Sequence, residues 1–380
     1  MGPLHHIRVV ELAGIGPGPM CAMLLADLGA DVIRVDRTEP SDLGLPGDPR
    51  FDVVTRGRRS IAVNLKSAEG REIVLRLIDR ADVIIEGFRP GVTERLGLGP
   101  DVCRTRNPRL VYGRMTGFGQ DGVLAGAAGH DLNYIALTGA LHAIGPRGGP
   151  PIPPLNLIGD YGGGALYLAL GVLSALLERQ QSGEGQVVDA AMVEGAASLM
   201  SAFYGRSAAG LWSEQRGENV LDGGAPFYAV YETRDGLYVS IAAIENRFFA
   251  ELAQRIGLDQ SFVVRRNDRS LWPEMQQRMK SIFLTKTRNE WCALLEGTDA
   301  CFAPVLSIAE APQHKHNVSR GVFVEVGGYF QPAPAPRFSR SKTATPAAVE
   351  QLGAHTDEVL AEIGYSAEDI HAIRCLGVVR

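Results

Sequence analysis

The stretch Arg8-Val9-Val10-Glu11-Leu12-Ala13-Gly14-Ile15-Gly16-Pro17-Gly18-Pro19, followed by Met20–Leu28 and by Asp31-Val32-Ile33-Arg34-Val35-Asp36, decides the fold class. Apolar, β-branched residues predict a strand, and the Gly/Pro cluster predicts a sharp exit from it. A helical apolar pattern and a second strand follow, which makes a βαβ unit with parallel strands. The same grammar continues outward. Ile7–Ala13, Asp31–Asp36, Ser60–Leu65, Val83–Glu86 and Leu110–Arg114 read as strands, with Met20–Leu28 and Ala68–Arg80 as helices between them. The first third is therefore α/β, built on a parallel sheet.

The glycines of 14–18 invite a dinucleotide reading, for which Asp36 would be the ribose-binding acid. The spacing is G-x-G-x-G rather than G-x-G-x-x-G, and Pro17 and Pro19 remove amide donors that a pyrophosphate would need. A tight strand-to-helix turn accounts for the same residues.

Composition narrows the classes. The 380 residues carry 38 Lys+Arg against 43 Asp+Glu, a formal charge of −5, and 45% are hydrophobic. That balance leaves no global field for nucleic acid, so an anionic ligand must meet a local basic patch. Glycine supplies 45 residues, above the usual ~7%, and without a G-X-Y period this excess points to backbone-lined loops. Five scattered cysteines, Cys21, Cys103, Cys292, Cys301 and Cys375, show no C-x-x-C spacing. Neither a zinc site nor a disulfide framework is expected, and a reducing cytoplasm is. The start Met1-Gly2-Pro3-Leu4-His5-His6 lacks a secretory h-region, and the longest apolar run, Gly164–Leu177, is shorter than the ~20 residues of a membrane span. It is expected to be a buried helix.

From Asp131 to Ala209 the pattern is helical, broken by the Pro/Gly stretch Gly145–Pro154, which reads as a functional loop. Ser213–Gly224 is polar and Gly-rich, a linker signal. Phe227–Thr233 and Leu237–Ala242 flank Arg234-Asp235-Gly236 as a hairpin, with helical patterns at Arg247–Ile256 and Leu271–Phe283. The expected organisation is a large domain of residues 1–212 and 329–380, a linker 213–224 and a small α+β domain 225–328. The extended stretch Gln331–Pro336 precedes a last helix, Thr356–Ile363, able to dock back on the first domain.

Three features could carry chemistry. Arg37, Arg56, Arg58, Arg59, Lys66, Arg89 and Arg95 cluster near the early strands and would suit several phosphates. Gly129-His130-Asp131-Leu132-Asn133-Tyr134 gathers a His, an Asp and a Tyr, although Asp131 could be only a helix cap. Gly159-Asp160-Tyr161-Gly162-Gly163-Gly164 sets a carboxylate before three glycines. Asp160 reads as a cap or as an acid/base or nucleophile, with the amides of Gly162, Gly163 and Gly164 as an oxyanion site. Glu245, at the end of Leu237–Ile244, reads by itself as a surface carboxylate.

These residues resemble the family III CoA-transferases (CaiB/BaiF), and within them the α-methylacyl-CoA racemase branch. The resemblance rests on Arg8–Ala13 with Gly16-Pro17, Leu28–Val32, Glu86-Gly87-Phe88-Arg89-Pro90-Gly91, Gly129-His130-Asp131, Gly159-Asp160, Gly183–Gln186 and Ala303-Pro304-Val305. It implies a Rossmann-like large domain that binds CoA, a smaller α+β domain, and two chains interlocked as a homodimer. It also implies that Gly14–Pro19 is structural. His130 and Asp160 would be the catalytic pair, with Glu245 supporting the imidazole. Ile15, Arg37, Lys66, Glu86, Gly87, Arg89, Arg95, Asp131 and Tyr134 would lie along the acyl-CoA. No cofactor and no metal are implied, since CoA arrives as part of the substrate, and no nucleic-acid or membrane partner is implied. The expected reaction is epimerisation of a 2-methylacyl-CoA by 1,1-proton transfer. The alternatives are a CoA-transferase with Asp160 as nucleophile, a nicotinamide-dependent oxidoreductase and a non-catalytic CoA-binding module.

Overall fold

The computed structural model describes residues 1–39, 44–343 and 345–380. The chain forms two compact units: one of Met1–Thr138, Leu155–Met200 and Ser319–Arg380, the other of Gly139–Pro154 and Ser201–Val318. The boundaries expected from sequence at 212 and 328 fall inside the second and first units respectively.

The first unit is built on six parallel strands: β1 (Arg8–Leu12), β2 (Asp31–Asp36), β3 (Arg58–Ala62), β4 (Val83–Glu86), β5 (Val111–Thr116) and β6 (Val187–Ala191), in the order β3-β2-β1-β4-β5-β6. Successive side chains on a strand point to opposite faces, and both faces here are covered. Val10, Leu12, Ile33, Val35 and Ile84 pack with the helix Ala68–Ile78 and the C-terminal helices Thr356–Glu362 and Ala367–Cys375. Ile7, Val9, Val32, Val83 and Ile85 pack on the other face with the helices Pro17–Asp27 and Leu166–Ser182. The expected docking of the last helix is realised, as His355 N–H donates to the Ser60 carbonyl at 2.9 Å.

The strand order reverses between β1 and β4, so the loops leaving these two strands flank a crevice at the carboxyl edge of the sheet. That is where open α/β sheets bind ligands.

The second unit carries an antiparallel sheet of β7 (Tyr228–Glu232), β8 (Tyr238–Ala242) and β9 (Phe302–Pro304), with Phe249, Met279, Phe283 and Trp291 in its core. The hairpin around Asp235-Gly236 is as expected. The segment 213–224, read as a linker, is instead a hydrogen-bonded loop of this unit. Asp222 accepts from the backbone of Gly217 and Asn219, and buried Asn219 donates to the Ser213 carbonyl. A further hairpin, β10 (Phe323–Val326) and β11 (Tyr329–Pro332), returns to the first unit, where Gln331 accepts from Arg56.

Candidate active site

The turn after β1 sets the geometry. Gly16 adopts φ +68°, and a Cβ there would lie 3.1 Å from Asp160 Oδ2. The Gly14–Pro19 turn therefore packs against the carboxylate of Asp160, and the helix Pro17–Asp27 starts immediately behind it.

Asp160 lies in a π-helical stretch, Leu157–Ala165, that runs into the α-helix Leu166–Ser182. This departs from the expectation of a helix beginning after the three glycines. Gly162, Gly163 and Gly164 are mid-helix, where their amides belong to the i→i−5 ladder rather than to an open helix end. They allow close packing instead: a Cβ on Gly163 would stand 2.5 Å from the Ala196 amide nitrogen, on the neighbouring helix Met192–Leu199. These three glycines are thus not positioned as the oxyanion donors suggested by the sequence.

Two side chains hold Asp160. Asp131, buried, accepts the Asp160 backbone N–H through Oδ2 at 2.7 Å. The approach is so close that a Cβ on Gly159 would be 2.5 Å from that oxygen. Asp131 Oδ1 is buried without a hydrogen-bond partner. Asn156, which sequence reasoning did not single out, donates through Nδ2 to Asp160 Oδ2 at 3.0 Å. Burial pushes the Asp160 carboxyl above its ordinary range; the Asn156 hydrogen bond opposes this, the Asp131 charge adds to it and His130 opposes it. His130 is exposed, ends the loop before the helix Asp131–Ala136, and has its backbone N–H received by Asn133 Oδ1 at 3.0 Å. His130, Asp131 and Asp160 are therefore brought together. Tyr134 joins them: it is buried, its hydroxyl donates to the Gly129 carbonyl, and its ring meets Phe118 edge-on at 4.9 Å. Burial raises its pKa, Asp160 adds to the rise, and the charge of Arg89 opposes it. The phenol is thus within electrostatic reach of both groups.

The cations separate into two sets. Arg37, Lys66, Arg89 and Arg95 are exposed, and among the described residues their side chains have no acidic partner. Arg56, Arg58 and Arg59 do not belong with them. They stand at the start of β3, the opposite end of a parallel sheet from the strand termini that form the crevice. There Arg56 pairs with Asp27 at 2.6 Å and Arg59 with Asp31 at 2.9 Å, while the buried Arg58 side chain reaches forward along the sheet to Glu11 at 2.7 Å and to the Pro19 carbonyl. Glu86 is also turned inward. Its carboxylate accepts from Arg114 Nε at 2.9 Å and from the Phe88 N–H at 2.7 Å. It braces the Gly87–Arg89 loop from below, and burial raises its pKa against those two bonds. Gly87 and Ile15 are exposed at the crevice loops.

Glu245 belongs to the second unit, exposed at the start of the helix Asn246–Ile256, where its charge acts on Arg266. Among the described residues no group of three or more His, Cys, Asp or Glu side chains could hold a metal ion.

A doubly wound sheet with a half-buried, doubly braced aspartate at its switch point, next to cations without acidic partners among the described residues, matches a known protein class. Residues 4–356 match the model of CoA-transferase family III, and the chain belongs to that family. It is 47% identical over 370 residues to the α-methylacyl-CoA racemase of Mus musculus, covering 97% of this chain and 95% of that protein. It is 44% identical over 375 residues to the α-methylacyl-CoA racemase of Homo sapiens, covering 97% and 96%. Among solved structures, a CaiB/BaiF family protein from Brucella suis superposes with a TM-score of 0.80 at 27% identity, over 95% of this chain and 99% of that one.

Proposed function

We propose that this chain is an α-methylacyl-CoA racemase that inverts C2 of a 2-methylacyl-CoA thioester by 1,1-proton transfer through an enolate. The observation that carries the reading is the pairing of His130 with Asp160 at the crevice, an imidazole beside a carboxyl whose pKa burial raises above its ordinary range. One group takes the proton from C2 while the thioester carbonyl receives the electron pair. The other, in its protonated form, returns a proton to the opposite face. Reversing the roles inverts the other enantiomer. The step is redox-neutral, so CoA enters only as part of the substrate and no cofactor or metal is called for.

Arg37, Lys66, Arg89 and Arg95, which have no acidic partner among the described residues, are assigned to the CoA phosphates, with Ile15, Gly87 and Tyr134 along the thioester arm. Glu86 and Asp131 act from behind, through the loops they brace. The chain is assigned to a homodimer, supported by the apolar stripe Leu166, Leu170 and Leu177 on the outer face of the helix Leu166–Ser182, exposed by 54%, 61% and 63%. Length and composition would also let Leu157–Ser182 cross a membrane, but its inner face, Leu168, Val172, Ala175 and Leu176, is packed in the sheet core. In such a dimer, Glu245 of the partner subunit is the proposed support for the His130 imidazole. Five free cysteines suit a reducing cytoplasm, and the near-neutral charge offers nothing to nucleic acid.

The family also leaves a CoA-transferase reading, in which Asp160 attacks an acyl-CoA. Incubation of a 2-methylacyl-CoA in D₂O decides between them. A racemase incorporates one deuterium at C2 without any acceptor acid. Turnover that requires an added carboxylic acid, with CoA transfer and no exchange, identifies the transferase.

A further inference from the structure

Glu11 lies in β1 between Val10 and Leu12 and is 1% exposed, so its charge needs partners inside the fold. Two guanidinium groups supply them. Arg34, its register neighbour on β2, donates through Nη1 at 2.9 Å, and Arg58, on β3, donates through Nε at 2.7 Å. Arg34 also gives its Nε to Asp36 at 2.9 Å, so the charges of Asp36, Arg34, Glu11 and Arg58 cancel. The outer nitrogens of Arg58 are directed at carbonyls instead. Nη1 donates to Val54 at 2.5 Å and to Arg56 at 3.0 Å, and Nη2 donates to the carbonyl of Pro19.

Pro19 closes the Gly14–Pro19 turn, which has few means of holding itself. Pro17 and Pro19 have no N–H to donate. Gly14 and Gly18 have no side chain to pack, and a Cβ at either would meet nothing within 4 Å. The turn is therefore anchored from its acceptor side, by a guanidinium that Glu11 fixes in place. Its other flank lies over the reacting carboxylate, where a Cβ on Gly16 would stand 3.1 Å from Asp160 Oδ2.

We propose that Arg58 is a positioning residue, anchored by Glu11, that holds the Gly14–Pro19 turn over the Asp160 carboxylate and keeps water from it. The inference rests on the racemase reading for what Asp160 does, but it has a consequence of its own. Burial is the leading cause of the raised pKa of Asp160, and the turn is part of that burial. When the turn loosens, solvent reaches the carboxylate and its pKa falls back towards the ordinary range. The titratable groups on the elements around Asp160 are His130, Asp131, Tyr134, Tyr161, Cys21 and, exposed on the helix Met192–Leu199, Glu194. Substitution of Arg58 alters none of them. Loss of a cation would by itself raise a carboxyl, so a fall has the opposite sign and reports the solvent.

The test uses the full-length protein and two readouts. The first needs no catalysis: carboxyl ¹³C NMR titration of Asp160, assigned by difference from Asp160→Asn, in the wild type and in Arg58→Gln. The midpoint should fall in the variant. Arg58→Lys, which keeps the charge beside Glu11 and a donor for Pro19, should lie between the two, and it carries the test if Arg58→Gln does not fold. Arg179→Gln removes another buried cation, paired with Asp82 at 2.8 Å at the opposite edge of the sheet, and should leave the midpoint where it was. The second readout is the pH profile of C2–H exchange. Exchange should slow by up to about 100-fold in Arg58→Gln, as a displaced group does, and the acidic limb for the enantiomer that Asp160 deprotonates should move to lower pH. A midpoint that stays put or rises in the folded Arg58 variants, or that falls equally in Arg179→Gln, overturns the proposal. If the wild type shows no exchange at all, the racemase reading fails, and the NMR midpoint alone upholds or overturns the assignment of Arg58.

Discussion

The carboxylate of Asp131 receives the backbone N–H of Asp160 at 2.7 Å, which couples two acids through the main chain of one and the side chain of the other. Asp131 fixes where Asp160 stands and, by its charge, opposes Asp160's ionisation. Asp131→Asn keeps an acceptor for the amide and removes the charge. The acidic limb of exchange for the enantiomer that Asp160 deprotonates should then move to lower pH. An unchanged limb would show that the charge of Asp131 does not reach Asp160.

His130→Ala and Asp160→Ala should each abolish racemisation, because inversion needs a group on both faces of C2. General-base contributions are typically ~10²–10⁴-fold, so the losses are readily measured. Each variant should still wash label from one enantiomer and not the other, since the surviving base can return a proton to its own face. Glu245→Gln should slow exchange on the His130 face more than on the Asp160 face. Near-normal racemisation in either alanine variant, with intact folding, would remove that residue from the pair.

The raised pKa of Asp160 carries a cost in stability. A carboxyl raised in the folded state contributes fully below its unfolded value of 3.8, and the contribution is lost as pH rises through the folded value. Above that folded value the ionised group therefore disfavours the fold. Asp160→Asn should melt at a higher temperature than the wild type at pH 7, and the difference should shrink as the pH falls below about 4. Identical melting at both pH values would mean that the carboxyl is not held against its solvation.

Arg114 and Arg89 should part company under substitution. Arg114, with Glu86 and Glu94 at 2.9 and 2.8 Å, neutralises a buried carboxylate, and Arg114→Gln should cost about 3–5 kcal/mol of stability in urea denaturation. Arg89→Ala, at an exposed side chain, should leave stability nearly unchanged and weaken CoA-thioester binding by about 1–3 kcal/mol. The same weakening is expected for Arg37→Ala. Unchanged affinity in both would place the phosphates elsewhere.

Leu170→Glu puts a charge in the middle of the exposed stripe of Leu166–Ser182. Sedimentation at micromolar concentration should show a dimer for the wild type and a shift towards monomer for the variant. A monomeric wild type would overturn the dimer assignment.

The parallel sheet was legible because β1, β2 and β4 are short apolar runs closed by turn residues, and buried parallel strands read that way. β6 was not. Val187 and Asp189 are exposed, and only pairing with β5 makes the segment a strand. The start of the long helix was misread for a similar reason. Three successive glycines disfavour a helix in isolation, whereas here their lack of side chains lets two helices touch. The basic residues were visible as charges, but their partners were not. Arg58 finds Glu11 and Arg56 finds Asp27 only after the sheet has formed. His130, Asp131 and Asp160 were recognisable from their glycine-flanked motifs. Asn156 carries no such mark, because its hydrogen bond to Asp160 follows a backbone turn at Leu155, where φ is +61°.

That turn also sits at a seam. The chain leaves the first unit after Thr138 and re-enters it at Leu155, so a single residue separates the stretch 139–154 from the side chain that grips Asp160. Sequence drift in that stretch, through insertions, deletions or exchanged prolines, is therefore not free to accumulate as it would in an ordinary surface excursion. Whatever length and composition it takes, it must deliver the chain to position 155 in the same left-handed posture, and substitutions there should be filtered by their effect on proton transfer before any effect on folding is felt.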